Sequence, residues 1–185
     1  LFCRDCKSMP EIKSITSADV TGKRVLVHTD FDVPMQDGVV ANDARIKAAL
    51  PTIELLRKKG AASIVLLSKL GRPGGKEIPE LRMEPVRKRL GELIDLAGIE
   101  LHENLRFDPR EESNDESFAK ELATLGDIFV NEAFADSHRV HASIVGIPKF
   151  LPSFMGLQFE KEITALAKAK TPPQGAVAII GGAKF

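Results

Sequence analysis

A parallel α/β sandwich, one sheet covered by helices on both faces, is the fold predicted by this sequence of 185 residues. Three observations predict it. Short apolar, β-branched runs alternate with longer amphipathic stretches. Within the runs successive positions are apolar, as in strands buried on both faces. Glycine, proline and asparagine punctuate the joins and hold each run to a strand's length. Strand, connection and helix in repetition imply βαβ units and a three-layer architecture.

The elements follow in order. "RVLVHTDF" (24–31) is the first strand, placed after a turn at Gly22. "NDARIKAALPTIELLRKKG" (42–60) reads as a helix capped by Asn42 or Asp43, with Ile46, Leu50 and Ile53 on one face and Gly60 at its end. Pro51 is expected to kink or split it. "ASIVLLS" is the second strand, and residues 84–98 read as a helix with Pro85 in its first turn. "IELHENLRF" is a strand or strand end, 115–126 a helix stopped by Gly126, and "DIFVNEAF" (127–134) a strand. "SIVGIPKFL" has no clear period. "LQFEKEITALAKAK" is a helix, and "AVAIIGGAKF" is an apolar strand after the break "TPPQG".

Composition narrows the classes. Lysine plus arginine equals aspartate plus glutamate, 26 each, which argues against a general nucleic-acid binder. No apolar run is long enough to cross a bilayer. Cys3 and Cys6 form a lone C-x-x-C in a polar stretch. Structural zinc needs four ligands, so no function is expected of the pair. "MPEIKSITSADV" reads like a natural start at Met9, which makes residues 1–8 a disordered tail or an expression remnant. "GRPGGKE" lacks P-loop spacing and the Ser or Thr that holds magnesium. No dinucleotide fingerprint, metal-ligand cluster or nucleophile elbow is present.

Parallel sheets bind ligands beyond the carboxyl ends of their strands. The first strand delivers Asp30 and Asp32 there, the second Lys69 and Arg72. "ENLRF" delivers Arg106, and "NEAFADSHRVHAS" leads to His138, Arg139 and His141. Arg45 opens the helix after the first strand. Arginine grips phosphate and carboxylate through paired hydrogen bonds. Several arginines in one empty cleft would repel, each close pair by about 4 kcal/mol at an effective dielectric near 20. A small ligand carrying phosphate and carboxylate would relieve that repulsion. His28 and His102, inside strands, are expected to be structural.

From about Lys13 onward the chain resembles the amino-terminal half of the phosphoglycerate kinase family. "GKRVLVHTDFDVP", "DARIKAALPTIELLRKKGA", "SKLGRP", "ENLRF", "FVNEAFADSHRVHASIVGIPKFLPSFMG" and "GGAK" occur in the family's order and near its spacing. The resemblance implies Rossmann-like domains and reversible phosphoryl transfer between Mg-ATP and the carboxylate of 3-phosphoglycerate. Residues 9–156 would be the substrate domain, 157–171 an interdomain helix, and 172–185 the first strand of a nucleotide domain otherwise absent. Asp30, Asp32, Arg45, Lys69, Arg72, Arg106, His138 and Arg139 would bind substrate. Arg45 and Lys184 would stand at the transferring phosphoryl group. The intact protein would be a cytoplasmic, monomeric glycolytic enzyme, and this chain alone would not turn over. The alternatives are a non-catalytic anion-binding relative and a degenerate fragment.

Four charged positions depart from the family's motifs. His28 stands for arginine and Asp32 for asparagine in R-V-D-F-N-V-P. Lys69 stands for histidine in S-H-L-G-R-P, and Asp136 is gained in D-A-F-G-T-A-H-R. An approach of Asp32 to Lys69 would conserve the charge of the cleft. The segment between Gly91 and Ile99 is short by roughly one strand-and-helix unit.

Overall fold

The computed structural model describes residues 13–170 and 172–177. The expected strand 176–185 falls almost wholly outside them, as do Lys184, Cys3 and Cys6. Twelve elements are named here: β1 Arg24–His28, β2 Met35–Gln36, β3 Val39–Val40, α1 Ala44–Lys58, β4 Ser63–Leu67, α2 Glu84–Leu93, β5 Ile99–Leu101, α3 Pro109–Glu112, α4 Glu116–Ala123, β6 Ile128–Asn131, β7 Ser153–Met155 and α5 Leu157–Lys170.

The main sheet runs β5-β4-β1-β6-β7, and every neighbouring pair is parallel. β1 sits at its centre, with Val25 facing Ile64 on one side and Ile128 on the other. Side-chain alternation splits the core in two. Val25, Val27, Ile64, Leu66 and Val130 pack against Ile46, Ile53 and Leu56 of α1 and Val86 and Leu90 of α2. Leu26, Val65, Leu67 and Phe129 pack against Phe118, Ala119 and Leu122 of α4, with Leu105 and Ile147. Both faces are therefore covered, and the three-layer Rossmann-like α/β fold read from the sequence is the fold observed.

The departures have local causes. Pro51 does not split α1, which runs unbroken from Ala44 to Lys58. Its ring lies on the exposed face, while Ala49, Thr52 and Ile53 are buried on either side. α2 ends at Leu93 rather than Gly98. β1 and β6 end at His28 and Asn131, three residues before their expected ends, where backbone pairing gives way to loops. "SIVGIPKFL" folds as a π-helical turn at Ala142–Gly146 and a 3-10 turn at Ile147–Lys149. β7 and the β2–β3 hairpin, with Asp37 and Gly38 at φ of +51° and +75°, are additions to the expected elements.

Candidate functional site

The carboxyl ends of β1, β4 and β6 lie side by side at the centre of the sheet, because His28 pairs with both Leu67 and Asn131. The loops that leave them carry the predicted residues. After β1, Ser68 Oγ donates to Thr29 O at 2.8 Å and accepts from Phe31 N at 2.9 Å. This clamp fixes the path of Asp30 and Asp32. Arg45, in the first turn of α1, donates to Asp30 Oδ1 at 2.8 Å and to the Asp32 carbonyl at 2.9 Å. Burial lifts the Asp30 carboxyl above its ordinary pKa, against the pull of Arg45.

The turn after β4 is built on Gly71. Its φ is +60°, and a Cβ there would come within 2.7 Å of Leu81. Its N–H donates to Asp32 Oδ1 at 2.9 Å and its carbonyl accepts from Arg106 Nη1 at 2.7 Å. Asn104 holds the same turn, accepting from Leu70 N and donating to Leu70 O. Arg106, only 3% exposed, also lies 3.5 Å from Asp32 Oδ2 and 3.1 Å from Glu112 Oε1. Arg45, Asp32, Arg106 and Gly71 therefore form one contiguous set. Arg72 follows Gly71 and is exposed, with no carboxylate within salt-bridge distance among the described residues.

Lys69 departs from the expected arrangement. It is almost fully buried, 3.2 Å from Glu111 Oε1, 3.3 Å from Asp136 Oδ2 and 3.2 Å from His141 Nδ1. Lys69 continues the inward parity of Val65 and Leu67, which buries its stem and brings its ammonium to Asp136 from beneath the strand ends. Its acidic partners are Glu111 and Asp136, and Asp32 pairs with Arg106, so the expected Asp32–Lys69 approach is replaced by two separate pairings. Glu111 is itself fully buried and accepts from Ser143 N and Ser143 Oγ.

The β6 loop brings the remaining groups. Arg139 Nε lies 3.2 Å from Asp136 Oδ1 and His138 is exposed. Burial works to raise the Asp136 carboxyl, but Lys69, with Arg106 adding to its pull, holds it below the ordinary range. Burial and Lys69 push the His141 imidazole down. His28 is completely buried with both ring nitrogens unpartnered, and burial drives its pKa down to about 3, so it is neutral. His102 lies just past β5, its Nδ1 3.1 Å from Glu103 O.

Glu132 was not singled out in the sequence. It follows β6 at 4% exposure, and burial raises its carboxyl to about 7. It borders a cavity of about 420 Å³ that Asp30, Arg45, Phe134 and Gln158 also line. Two roomier hollows lie elsewhere, one between the β2–β3 hairpin and α2, the other beside Lys13 and Phe154. Among the described residues no group of three or more His, Cys, Asp or Glu could hold a metal ion. No described helix is long and apolar enough to cross a membrane.

Comparison with known proteins adds a family. The model of the family described as phosphoglycerate kinase matches residues 15–102 and 95–185. Curated phosphoglycerate kinases of Roseiflexus sp. (strain RS-1) and Roseiflexus castenholzii (strain DSM 13941 / HLO8) are each 45% identical over 198 residues, covering 94% of this chain and 50% of theirs. This chain thus spans about half the length of the curated relatives it matches. The aligned region is longer than the chain itself, so the relatives carry residues that it lacks. The two family matches meet at residues 95–102, beside the segment that reads as short. The solved phosphoglycerate kinase of Coxiella burnetii superposes with a TM-score of 0.81 at 34% identity, covering 89% of this chain and 46% of that one. For the Pyrococcus horikoshii OT3 enzyme the values are 0.76 and 31%, with 85% and 45% covered.

Proposed function

This chain belongs to the phosphoglycerate kinase family, and from that premise we propose that it is the half that holds 3-phosphoglycerate during phosphoryl transfer from and to ATP. One observation carries the reading: Arg45, Arg106 and Arg139, far apart in sequence, stand with the Arg72 turn around the ends of β1, β4 and β6.

In this reading Arg72, Arg106 and Arg139 receive the anionic groups of the substrate and Asp30 accepts a hydrogen bond from its hydroxyl. Arg45 faces the reacting carboxylate. Phosphoryl transfer depends mainly on positioning and charge stabilisation, and a carboxylate nucleophile needs no general base. The roles of this chain's residues are accordingly to bind, orient and offset charge. Mg-ATP falls to a second domain and α5 joins the two, while Lys184, outside the described residues, keeps the role at the transferred group that the family resemblance implies. On this division neither half turns over alone, and the family resemblance assigns the intact protein to the monomeric enzymes of the cytoplasm.

Titration calorimetry and amide chemical-shift mapping with 3-phosphoglycerate test the proposal. Weak binding is expected, with shifts at Asp30, Gly71, Arg72 and Arg139, and affinity that falls as Arg72 is replaced by Ala. No heat and no shift at millimolar ligand would overturn it. A second reading, an anion-binding relative without catalysis, draws on Asp32 and Asp136 beside the cations. A coupled kinase assay on the whole gene product separates the two.

A further inference from the structure

Four of the five cations at these strand ends already have a carboxylate partner. Arg45 pairs with Asp30, Arg106 with Asp32 and Glu112, Lys69 with Glu111 and Asp136, and Arg139 with Asp136. Among the described residues Arg72 is the exception. Two of the carboxylates stand out by what they join. Asp136 bridges cations from different strand ends, with Oδ2 3.3 Å from Lys69 Nζ and Oδ1 3.2 Å from Arg139 Nε. Asp32 takes a backbone N–H with one oxygen, Gly71 N at 2.9 Å, and faces Arg106 with the other at 3.5 Å. A guanidinium together with a loop N–H, or two cations together, is the donor set that a phosphate or carboxylate uses.

We propose that Asp32 and Asp136 are built-in counter-anions that set how tightly, and with what charge preference, the cleft takes a small anion. The inference deepens the reading of the cleft as a 3-phosphoglycerate site and rests on it. The two carboxylates hold the donors that an incoming anion needs, so binding becomes an exchange of one anion for another. Both can leave. The Asp32 side chain is 42% exposed and the Asp136 side chain 19%, so each can turn toward water. Glu111, fully buried and bonded to Ser143, cannot, and it keeps Lys69 paired after Asp136 departs. Both aspartates are charged departures from the family's motifs, at asparagine and within G-T-A respectively. Exchange also has a signature in salt. Replacing one ion pair by another leaves the number of pairs unchanged, so affinity depends only weakly on ionic strength. Once a counter-anion is removed, binding creates new pairs, and affinity falls as salt screens them.

Asp32→Asn, Asp136→Asn and the double variant of this chain test the inference against inorganic phosphate and 3-phosphoglycerate, at low salt and at about 0.15 M salt. Each single substitution is expected to tighten both ligands by about tenfold at low salt, the scale of one charge-assisted hydrogen bond. The variants' affinity should fall with salt more steeply than the wild type's. Unchanged or weaker binding of both ligands by folded variants, no heat from either ligand with those variants, or an unchanged salt slope overturns the inference. If phosphate tightens while 3-phosphoglycerate binds none of the proteins, the counter-anions stand and the substrate assignment falls. A circular-dichroism melt establishes folding. Should Asp136→Asn fail to melt cooperatively, Asp32→Asn, at a more exposed site, decides the matter.

Discussion

Replacing Glu132 with glutamine removes one ionisable group from the junction of β6, α1 and α5 while nearly conserving its shape. Glu132 Oε1 accepts from Thr52 Oγ1 at 2.7 Å and from Gln158 N at 3.1 Å. Its Oε2 is buried with no partner, and Gly156 packs so closely that a Cβ there would overlap the carboxylate. Burial, against these donors, raises the pKa from 4.5 to about 7. At 1.36 kcal/mol for each pKa unit, that difference corresponds to roughly 3 kcal/mol. The folded protein holds this proton more tightly than the unfolded chain does between pH 4.5 and about 7. The stabilising contribution is therefore full below pH 4.5 and lost as pH rises through about 7. Glutamine keeps the Oε1 acceptor and does not titrate. Urea unfolding of both proteins at about pH 4.5 and about pH 8, followed by circular dichroism, measures the effect. The variant should gain on the wild type by roughly 3 kcal/mol between the two conditions. The fixed cost of placing an amide beside Gly156 cancels in that difference. Parallel stability profiles across the range would refute the reasoning, since they would mean that Glu132 titrates alike in the folded and unfolded chain.

Other expected outcomes follow from the same contacts. Lys69→Met should cost about 3–5 kcal/mol in urea unfolding, because it leaves Glu111 buried without its ammonium partner. Adding Glu111→Gln should recover part of that loss. Arg45→Ala should change stability by less than about 1 kcal/mol, since the side chain is half exposed. It should weaken 3-phosphoglycerate binding about tenfold or more in calorimetry. Gly126→Ala should destabilise by about 1–3 kcal/mol, as a Cβ there would meet Leu26 Cβ at 2.8 Å and the Leu26 backbone at 3.1 Å.

The elements legible in the sequence are those whose periodicity is carried by many residues. β1, β4 and β6 are apolar at successive positions because both faces of the central sheet are covered, and α1, α4 and α5 span two or more turns. β7 is three residues long with each only half-buried, so no pattern marks it. The hairpin had a readable cue, the Asp-Gly pair at 37–38, in a connection too short to show alternation. The arginines that surround the strand ends were legible one by one, through their motifs. Which carboxylate each would meet was not, nor was the partner of Lys69. Glu111 sits in the charged stretch "PREES", which reads as a solvated turn, and only the path of α3 carries it beneath Lys69. The orientation of Lys69 did have a signal, the two-residue parity from Val65 and Leu67. Glu132 gave none, since its burial depends on where α5 begins.

The short segment before β5 bears on how much of the site this chain retains. Arg106 is placed by β5 and the turn that follows it, and β5 is placed by β4 alone, through Ile64–Ile99, Val65–Glu100 and Leu66–Leu101. β5 is also the edge of the described sheet, so no other strand stands between β4 and the strand that leads to Arg106. The other cations hang from β1, β4, β6 and α1, which pair or pack at the centre of the sheet. Shortening at residues 91–99 can therefore reshape the edge while leaving the strand ends in register. Substitutions at Asp32, Lys69 and Asp136 act on the charges themselves. Differences in anion binding between this chain and its relatives should accordingly follow those three residues and not the length of the chain between α2 and β5. Grafting asparagine at 32 and histidine at 69 tests this more directly than lengthening the stretch between α2 and β5 would.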